Sequence, residues 1–252
     1  MKRCTYCGKE SKLTKEHIWP KGLVKRMPEL DAKYLKSTNK FFTSDLIISD
    51  VCADCNNIKL SMLDNYLCKL YDIYFKTYIE NEDEIIFNYD YELLLRSLLK
   101  ITYNLSRTIN QNNNVFAQFR EYILNGGRSY ENIIIKLDLI IPSTRNGEKI
   151  YPKSARCGSL DIGINTENFI LRIISIKSYY FYIIIYENEF LSNEDEYKEF
   201  QIFNNIPGIV IHPYKSEIKI KHNSNIDTYK AHIDFLKSTS NAFDEYVSKK
   251  TK

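Results

Sequence analysis

The stretch DVCADCNNIKLSMLDNYL, residues 50–67, joins a pair of cysteines to the start of an amphipathic helix. Cys52 and Cys55 are two residues apart, a spacing that lets both sulfur atoms of a tight turn point at one metal ion. Asn56 follows directly, and from Leu60 onward apolar residues recur at intervals of three and four, which predicts a long helix. A metal ion on the two cysteines would therefore pin the start of this helix and hold the Asn56 side chain in one direction.

A matching C-x-x-C pair stands near the start of the chain, and the two pairs together predict a structural zinc site with four cysteine ligands. These ligands are Cys4, Cys7, Cys52 and Cys55. The 44 residues between the pairs exceed the roughly 15 to 20 of a plain zinc ribbon, so a further segment must be inserted. Four reduced thiols without a metal ion would leave the two identical spacings unexplained.

Within this insert, LTKEHIWPKGL at residues 13–23 places an acidic residue beside a histidine, in a chain with four histidines. The surrounding residues 1–56 have no sustained helical period, which predicts irregular chain. In an extended segment neighbouring side chains point to opposite faces, so Glu16 and His17 would have different tasks. One could bind a metal ion while the other faces a different part of the same cleft.

The order of C-x-x-C, Glu-His followed by Pro20, and C-x-x-C-Asn at a helix start resembles the HNH endonuclease family. The resemblance covers residues 1–67, about a quarter of the chain. It implies a zinc-stabilised ββα-metal core, for which we expect residues 1–70, and leaves residues 71–252 as a helical and β-sheet domain of unknown role.

The resemblance also implies three catalytic roles. His17 corresponds to the general base that takes a proton from the attacking water, a task that suits a neutral imidazole. Glu16 and Asn56 correspond to the two ligands of a catalytic divalent cation. Oxygen ligands of this kind fit Mg²⁺ or Mn²⁺, so the implied catalytic metal differs from the structural zinc.

The chain departs from the usual family pattern at two places. A middle asparagine often stands about five residues before the third cysteine, but Ile47 occupies that position, and either Asp45 or Asp50 would brace the loop instead. The glycine pair that often follows the His-Pro segment is reduced to Gly22. Asp64, on the same helix face as Asn56, could support the cation ligands.

Charge is distributed unevenly along the chain. Residues 1–60 hold 12 lysines and arginines against 7 acidic residues, and the remainder holds 23 against 25. A basic N-terminal part on a mildly acidic body predicts contact with a polyanion, although scattered surface lysines would produce the same balance. Four basic residues near the Glu-His pair are candidates for phosphate contacts. They are Lys15, Lys21, Lys25 and Arg26.

Composition and segment lengths predict a cytoplasmic protein. The hydrophobic fraction of 44% and charged fraction of 27% are ordinary for a soluble domain. The longest apolar run, YYFYIIIY at residues 179–186, is too short to cross a bilayer, and the N-terminus has no apolar stretch of the secretory kind. In a reducing compartment, paired cysteines more often hold a metal ion than form disulfides.

The rest of the pattern predicts an α+β fold with a mainly antiparallel sheet. Helices are expected at residues 90–109, 115–125 and 226–248, the second ending at a glycine pair. Segments rich in β-branched and aromatic residues predict strands. These segments are residues 132–142, 159–165, 168–176, 178–187, 208–213 and 217–221.

Two functions from different classes remain open. The first is a metal-dependent HNH endonuclease that cleaves nucleic acid, with DNA favoured over RNA, although nothing in the site distinguishes a 2′-hydroxyl. Its layout resembles stand-alone nucleases of mobile elements or anti-phage defence. The second is a non-catalytic zinc module that binds nucleic acid or a protein partner. Catalysis requires His17, whereas binding should tolerate its loss.

Overall fold

The fold was analysed in a computed structural model of the chain. It describes residues 2–30, 33–36, 38–42, 44–80, 84–127, 132–152, 154–159, 169–186, 203–221, 237 and 239–249. Within these ranges the chain is a mixed α/β protein with antiparallel sheets. No helix in these ranges has the length and apolar character needed to cross a membrane.

The first cysteine pair lies in a small hairpin. Strands β1 (Lys2–Arg3) and β2 (Glu10–Ser11) pair antiparallel, and the turn between them carries Cys4 and Cys7. Gly8 has a φ of +73°, a left-handed conformation that suits glycine because it lacks a Cβ atom. The chain therefore reverses direction directly after the two thiols, and β2 pairs with β1.

The segment that was expected to be irregular is built from short strands and one short helix. These elements are β3 (Leu13–His17), α1 (Lys21–Lys25), β4 (Lys33–Leu35), β5 (Lys40–Phe42) and β6 (Ile47–Cys52). Strands β3 and β6 pair antiparallel, with an irregularity in register between Thr14 and Glu16. Such short, partly exposed strands leave too few alternating residues to be recognised from sequence.

The long helix that was predicted after Asn56 is present. It runs continuously through a π-helical segment, Cys55–Leu60, an α-helical segment, Ser61–Leu70, and a second π-helical segment, Tyr71–Phe75. We call the whole element α2. The expected boundary at residue 70 falls inside α2, and one hydrophobic core extends from Cys4 to Ile220.

The helical middle begins with α3 (Tyr91–Ile109), which has buried residues along its whole length. Asp90 caps it by accepting a hydrogen bond from the Leu93 backbone N–H. The helix expected at 115–125 is divided into α4 (Asn113–Ala117) and α5 (Arg120–Asn125). The second of these ends at Gly126, whose φ of +66° stops the helix as predicted.

The remaining elements are strands and a final helix. The strands are β7 (Ile85–Asn88), β8 (Ile133–Leu139), β9 (Ser143–Arg145), β10 (Glu148–Ile150), β11 (Ala155–Ser159), β12 (Phe169–Ile176), β13 (Tyr179–Tyr186), β14 (Ile209–Val210) and β15 (Glu217–Ile220). Among the described residues the largest sheet has the order β11-β12-β13-β8-β14, and every neighbouring pair is antiparallel.

Most of the predicted strands in this part are confirmed, but four of the described strands, β7, β9, β10 and β11, were not expected. The strand expected at 159–165 lies mostly outside the described residues, and a strand that was not expected, β11, precedes it. The C-terminal helix is described over residues 239–249, whereas the predicted part before residue 237 lies outside the described ranges. Phe243 of this helix packs on Phe41 of β5, with ring centroids 5.6 Å apart.

Candidate functional site

The four cysteines of the two C-x-x-C pairs converge on one point. Their Sγ atoms all lie within 4.8 Å of one another, and those of Cys7 and Cys52 are 3.8 Å apart. Since a tetrahedral zinc ion has Zn–S bonds of about 2.3 Å, its sulfur atoms are expected about 3.8 Å apart. The cluster therefore has the dimensions of a four-cysteine zinc site, formed by the β1–β2 turn, the end of β6 and the start of α2.

The thiols differ in how readily they ionise. Burial acts to raise the pKa of Cys4, but backbone hydrogen bonds from Cys7 and Cys52 outweigh it and lower the pKa to about 7. Burial raises the pKa of Cys55 far above its usual range and raises that of Cys7 as well. Because thiolates rather than thiols bind zinc, a metal ion would be needed to ionise the whole set near neutral pH.

Asn56 ties the start of α2 to strand β3. Its Nδ2 donates hydrogen bonds to Thr14 Oγ1 and to the Lys15 carbonyl oxygen, both at 2.9 Å. These bonds fix the asparagine beside the strand that carries Glu16 and His17. The three residues that the sequence singled out therefore belong to one local structure, next to the cysteine cluster.

Glu16 points into the protein from β3. Its residue is 3% exposed, and its Oε1 lies 2.6 Å from the Nζ of Lys100 in α3. Asn104, one turn later in α3, donates a longer hydrogen bond of 3.4 Å to the same oxygen. Burial raises the pKa of Glu16, and the ammonium of Lys100 opposes that effect.

Lys100 also forms an ion pair with Asp64, which lies in the α-helical segment of α2. Lys100 is fully buried, whereas the Asp64 side chain is 26% exposed, so the three charged groups reach solvent on the Asp64 side. Asp64 was expected to support the cation ligands. It contacts Lys100, which in turn contacts Glu16.

His17 lies on the other face of β3, as the extended conformation predicts. Its side chain is 23% exposed, and Nε2 is 3.6 Å from Oδ2 of Asp45. Burial lowers the pKa of His17 below its usual value, while Asp45 acts in the opposite direction. The imidazole is therefore neutral near pH 7 and partly open to water.

The two candidates for bracing the loop have different positions. Asp45 lies beside His17 and also pairs with Lys33 at 3.2 Å. Asp50 accepts a 3.0 Å hydrogen bond from Thr5 Oγ1 and pairs with Arg107 Nε at 3.1 Å. Of the two, only Asp45 contacts His17 in the described structure.

Asn104 connects strand β3 to the turn that carries Cys4 and Cys7. Its Nδ2 donates to the His17 carbonyl oxygen at 3.3 Å as well as to Glu16, and its Oδ1 accepts from the Tyr6 hydroxyl at 2.7 Å. Arg107 donates to the same Oδ1 at 3.0 Å. A buried amide in α3 therefore positions the strand that carries the candidate site.

These α3 residues were not predicted from the sequence. Arg96, Lys100 and Asn104 form a polar row at intervals of four, which is typical of a solvent-exposed helix face. Apolar residues lie on both sides of this row, and α3 is buried all round in the structure. A polar row flanked closely by Leu, Ile and Tyr is the pattern that could have revealed them.

The basic residues near the motif do not all remain available to a ligand. Lys15, Lys21 and Lys25 are exposed. Arg26 instead makes paired contacts with Asp72, at 2.8 Å through Nε and 2.9 Å through Nη2. All four predicted phosphate contacts are therefore accessible to solvent, but the Arg26 guanidinium is already paired with a carboxylate.

An open cleft of about 910 Å³ lies on another side of the cysteine cluster. It is lined by Cys7, Cys52 and Cys55, and by Lys59, whose Nζ donates to Asn125 Oδ1 at 2.5 Å. Glu16, His17 and Asn56 do not line this cleft. The candidate catalytic residues therefore lie outside this cleft.

The oxygen donors of Glu16 and Asn56 are of the type that binds a hard divalent cation. The Glu16 carboxylate already holds a positively charged group, the ammonium of Lys100. No protein-family model, curated protein or solved structure matches the chain. Functional assignment therefore depends on the local geometry and on the sequence resemblance.

Proposed function

We propose that this chain is a zinc-stabilised, metal-dependent endonuclease of the HNH type that hydrolyses phosphodiester bonds, with DNA as its preferred substrate. The observation that carries this proposal is the pair of hydrogen bonds from Asn56 to β3, the strand of Glu16 and His17. Two further features support it: the adjacent cysteine cluster, and the order of two antiparallel strands followed by a helix.

In this proposal His17 is the general base. Nε2 faces Asp45, which leaves Nδ1 to accept the proton of the attacking water. Asp45 holds the ring in one orientation and stabilises the imidazolium that forms. The partial exposure of the side chain gives water and a phosphate group access to the ring.

Glu16 and Asn56 would hold the divalent cation. Bound there, the ion would stabilise negative charge on the scissile phosphate and the leaving oxygen. The exposed lysines at positions 15, 21 and 25 would bind flanking phosphates and orient the backbone, which contributes affinity without sequence preference.

The test uses zinc-loaded protein incubated with supercoiled plasmid and Mg²⁺ or Mn²⁺, with EDTA as the metal-free condition. Wild type should nick or cut the plasmid, and His17→Ala should lose about 10²- to 10⁴-fold in rate, the usual contribution of a general base. His212→Ala, at an exposed histidine in another part of the structure, is the matched control. Parallel reactions with single-stranded RNA test the choice of substrate.

A second function is favoured by one observation. Because Glu16 is buried and ion-paired with Lys100, the basic N-terminal part could bind nucleic acid without cleaving it. Equal DNA affinity of wild type and His17→Ala, with no cleavage by either at any divalent cation concentration, would support this non-catalytic zinc module.

A further inference from the structure

Lys100 places a positive charge from the body of the protein inside the candidate catalytic centre. It lies in the middle of α3, and its side chain is 0% exposed. Fully buried lysines are rare unless they are paired, because removing an ammonium group from water is costly. Here the compensation comes from the carboxylates of Glu16 in β3 and Asp64 in α2.

The contacts of Glu16 are concentrated on one oxygen. Oε1 receives both the ammonium of Lys100 and the hydrogen bond from Asn104. An external cation that binds this carboxylate would therefore lie close to the lysine, because both oxygens belong to one small group. Two positive groups on one carboxylate repel each other strongly in a poorly solvated site.

The charges of this cluster also remain unbalanced. Glu16 and Asp64 carry two negative charges against the single positive charge of Lys100. An ammonium ion neutralises only half of this charge, whereas a divalent cation would neutralise all of it. The cluster reaches solvent at Asp64, which provides a route for an ion to enter.

We propose that Lys100 is an internal counter-cation that competes with the divalent cation for Glu16. Helix α3 would thereby set the concentration of divalent cation at which the catalytic centre becomes occupied. This inference rests on the proposed function for the identity of the site. It makes Lys100 a positioning residue that holds Glu16 in place until a stronger cation takes over.

Direct binding of Mn²⁺ to the zinc-loaded full chain tests the inference without reference to cleavage. Binding is followed by the electron paramagnetic resonance of free Mn²⁺. Lys100→Met should bind Mn²⁺ about tenfold or more tightly than wild type, because the competing charge is gone. Adding Glu16→Gln to this variant should abolish the gain. Lys136→Met, which removes a buried lysine from β8, should leave Mn²⁺ affinity unchanged.

Loss of Lys100 leaves two carboxylates close together, so folding and zinc content are measured on each variant. A second comparison avoids this imbalance: Asp64→Asn with Lys100→Met retains Glu16 as the one charged member of the cluster. This double variant should bind Mn²⁺ more tightly than Asp64→Asn alone.

The inference is overturned by two results together on folded, zinc-loaded protein: Lys100→Met binds Mn²⁺ no more tightly than wild type, and the double variant binds it no more tightly than Asp64→Asn. Failure of the proposed function has a different outcome: Mn²⁺ binding would tighten as expected, but neither wild type nor Lys100→Met would cleave DNA. Cleavage by wild type together with unchanged Mn²⁺ affinity in Lys100→Met would support the nuclease and reject the role of Lys100.

Discussion

The hydroxyl of Tyr6 donates a 2.7 Å hydrogen bond to Oδ1 of Asn104, and both residues are buried. Tyr6 stands between the first two cysteines, whereas Asn104 belongs to α3, 98 residues later. The same asparagine donates to Glu16 and to the His17 backbone. The turn that carries Cys4 and Cys7, the candidate catalytic strand and the body of the protein are thus joined through one buried amide.

Removing this hydroxyl should eliminate the hydrogen bond to Asn104 while the phenyl ring still fills its place in the core. We expect Tyr6→Phe to lower the free energy of unfolding of the zinc-loaded protein by about 1 kcal/mol, the usual net value of a hydrogen bond. Chemical denaturation measures the change. Tyr214→Phe, at a residue that is 92% exposed, should have no effect. Equal effects from both substitutions would show that the Tyr6 bond contributes nothing specific.

Zinc binding should depend on each cysteine of the cluster. Purified protein is expected to contain about one zinc ion per chain, and cobalt substitution should produce thiolate-to-cobalt charge-transfer absorption. Cys52→Ser should lose the metal and much of the ordered structure, because metal binding and folding are coupled in such sites. Cys157→Ser, outside the cluster, should retain both. Metal analysis and circular dichroism are the measurements; full zinc content in Cys52→Ser would rule out the four-cysteine site.

Substitutions at Asp45 and Asp50 should have different effects, the first on the rate of catalysis and the second on stability. Asp45→Asn removes the charge that orients His17, so single-turnover DNA cleavage should slow by about tenfold, part of the contribution of a general base. Asp50→Asn removes a partner of Arg107 and should lower stability while the rate of the folded protein stays close to wild type. If Asp50→Asn slows cleavage and Asp45→Asn does not, Asp45 has no role in orienting His17.

The exposed lysines should govern how DNA affinity varies with salt. Changing Lys15, Lys21 and Lys25 together to Gln should reduce the slope of log K against log salt by up to about 2.7, since each phosphate contact contributes about 0.9. Fluorescence anisotropy across a salt series measures this slope. A matched change of Lys149, which pairs with Glu80 in the body, should leave it unaltered. An unchanged slope in the triple variant would place the nucleic-acid surface elsewhere.

Features that depend on a few neighbouring residues were predictable. The C-x-x-C spacing predicted the convergence of four cysteines, and the alternation of Glu16 and His17 across an extended strand predicted their opposite directions. The period of leucines predicted α2 and α3 closely. The helix and strand predictions follow from backbone geometry over a few residues, and the preference of metal ions for four thiolates accounts for the meeting of the two distant cysteine pairs.

Contacts between distant segments were not predictable in this way. Neither the partner of His17 nor the burial of Lys100 follows from local pattern, because both depend on which residues α2, α3 and the insert place together. The short strands of the first 52 residues were missed apart from the extended segment at Glu16 and His17. Strands β3 and β6 pair across a long stretch of chain, whereas β1–β2 and β4–β5 are local hairpins whose strands are too short to show a period.

By itself, the sequence determined which four cysteines form the candidate metal cluster, the residue types of the candidate site and the strands and helices with a strong periodic pattern, since backbone geometry and side-chain chemistry act locally. Only the tertiary structure decided which charges meet. Packing of α3 against β3 and α2 buries Lys100 between Glu16 and Asp64, and in a poorly solvated interior the choice of partner controls the electrostatics of the site.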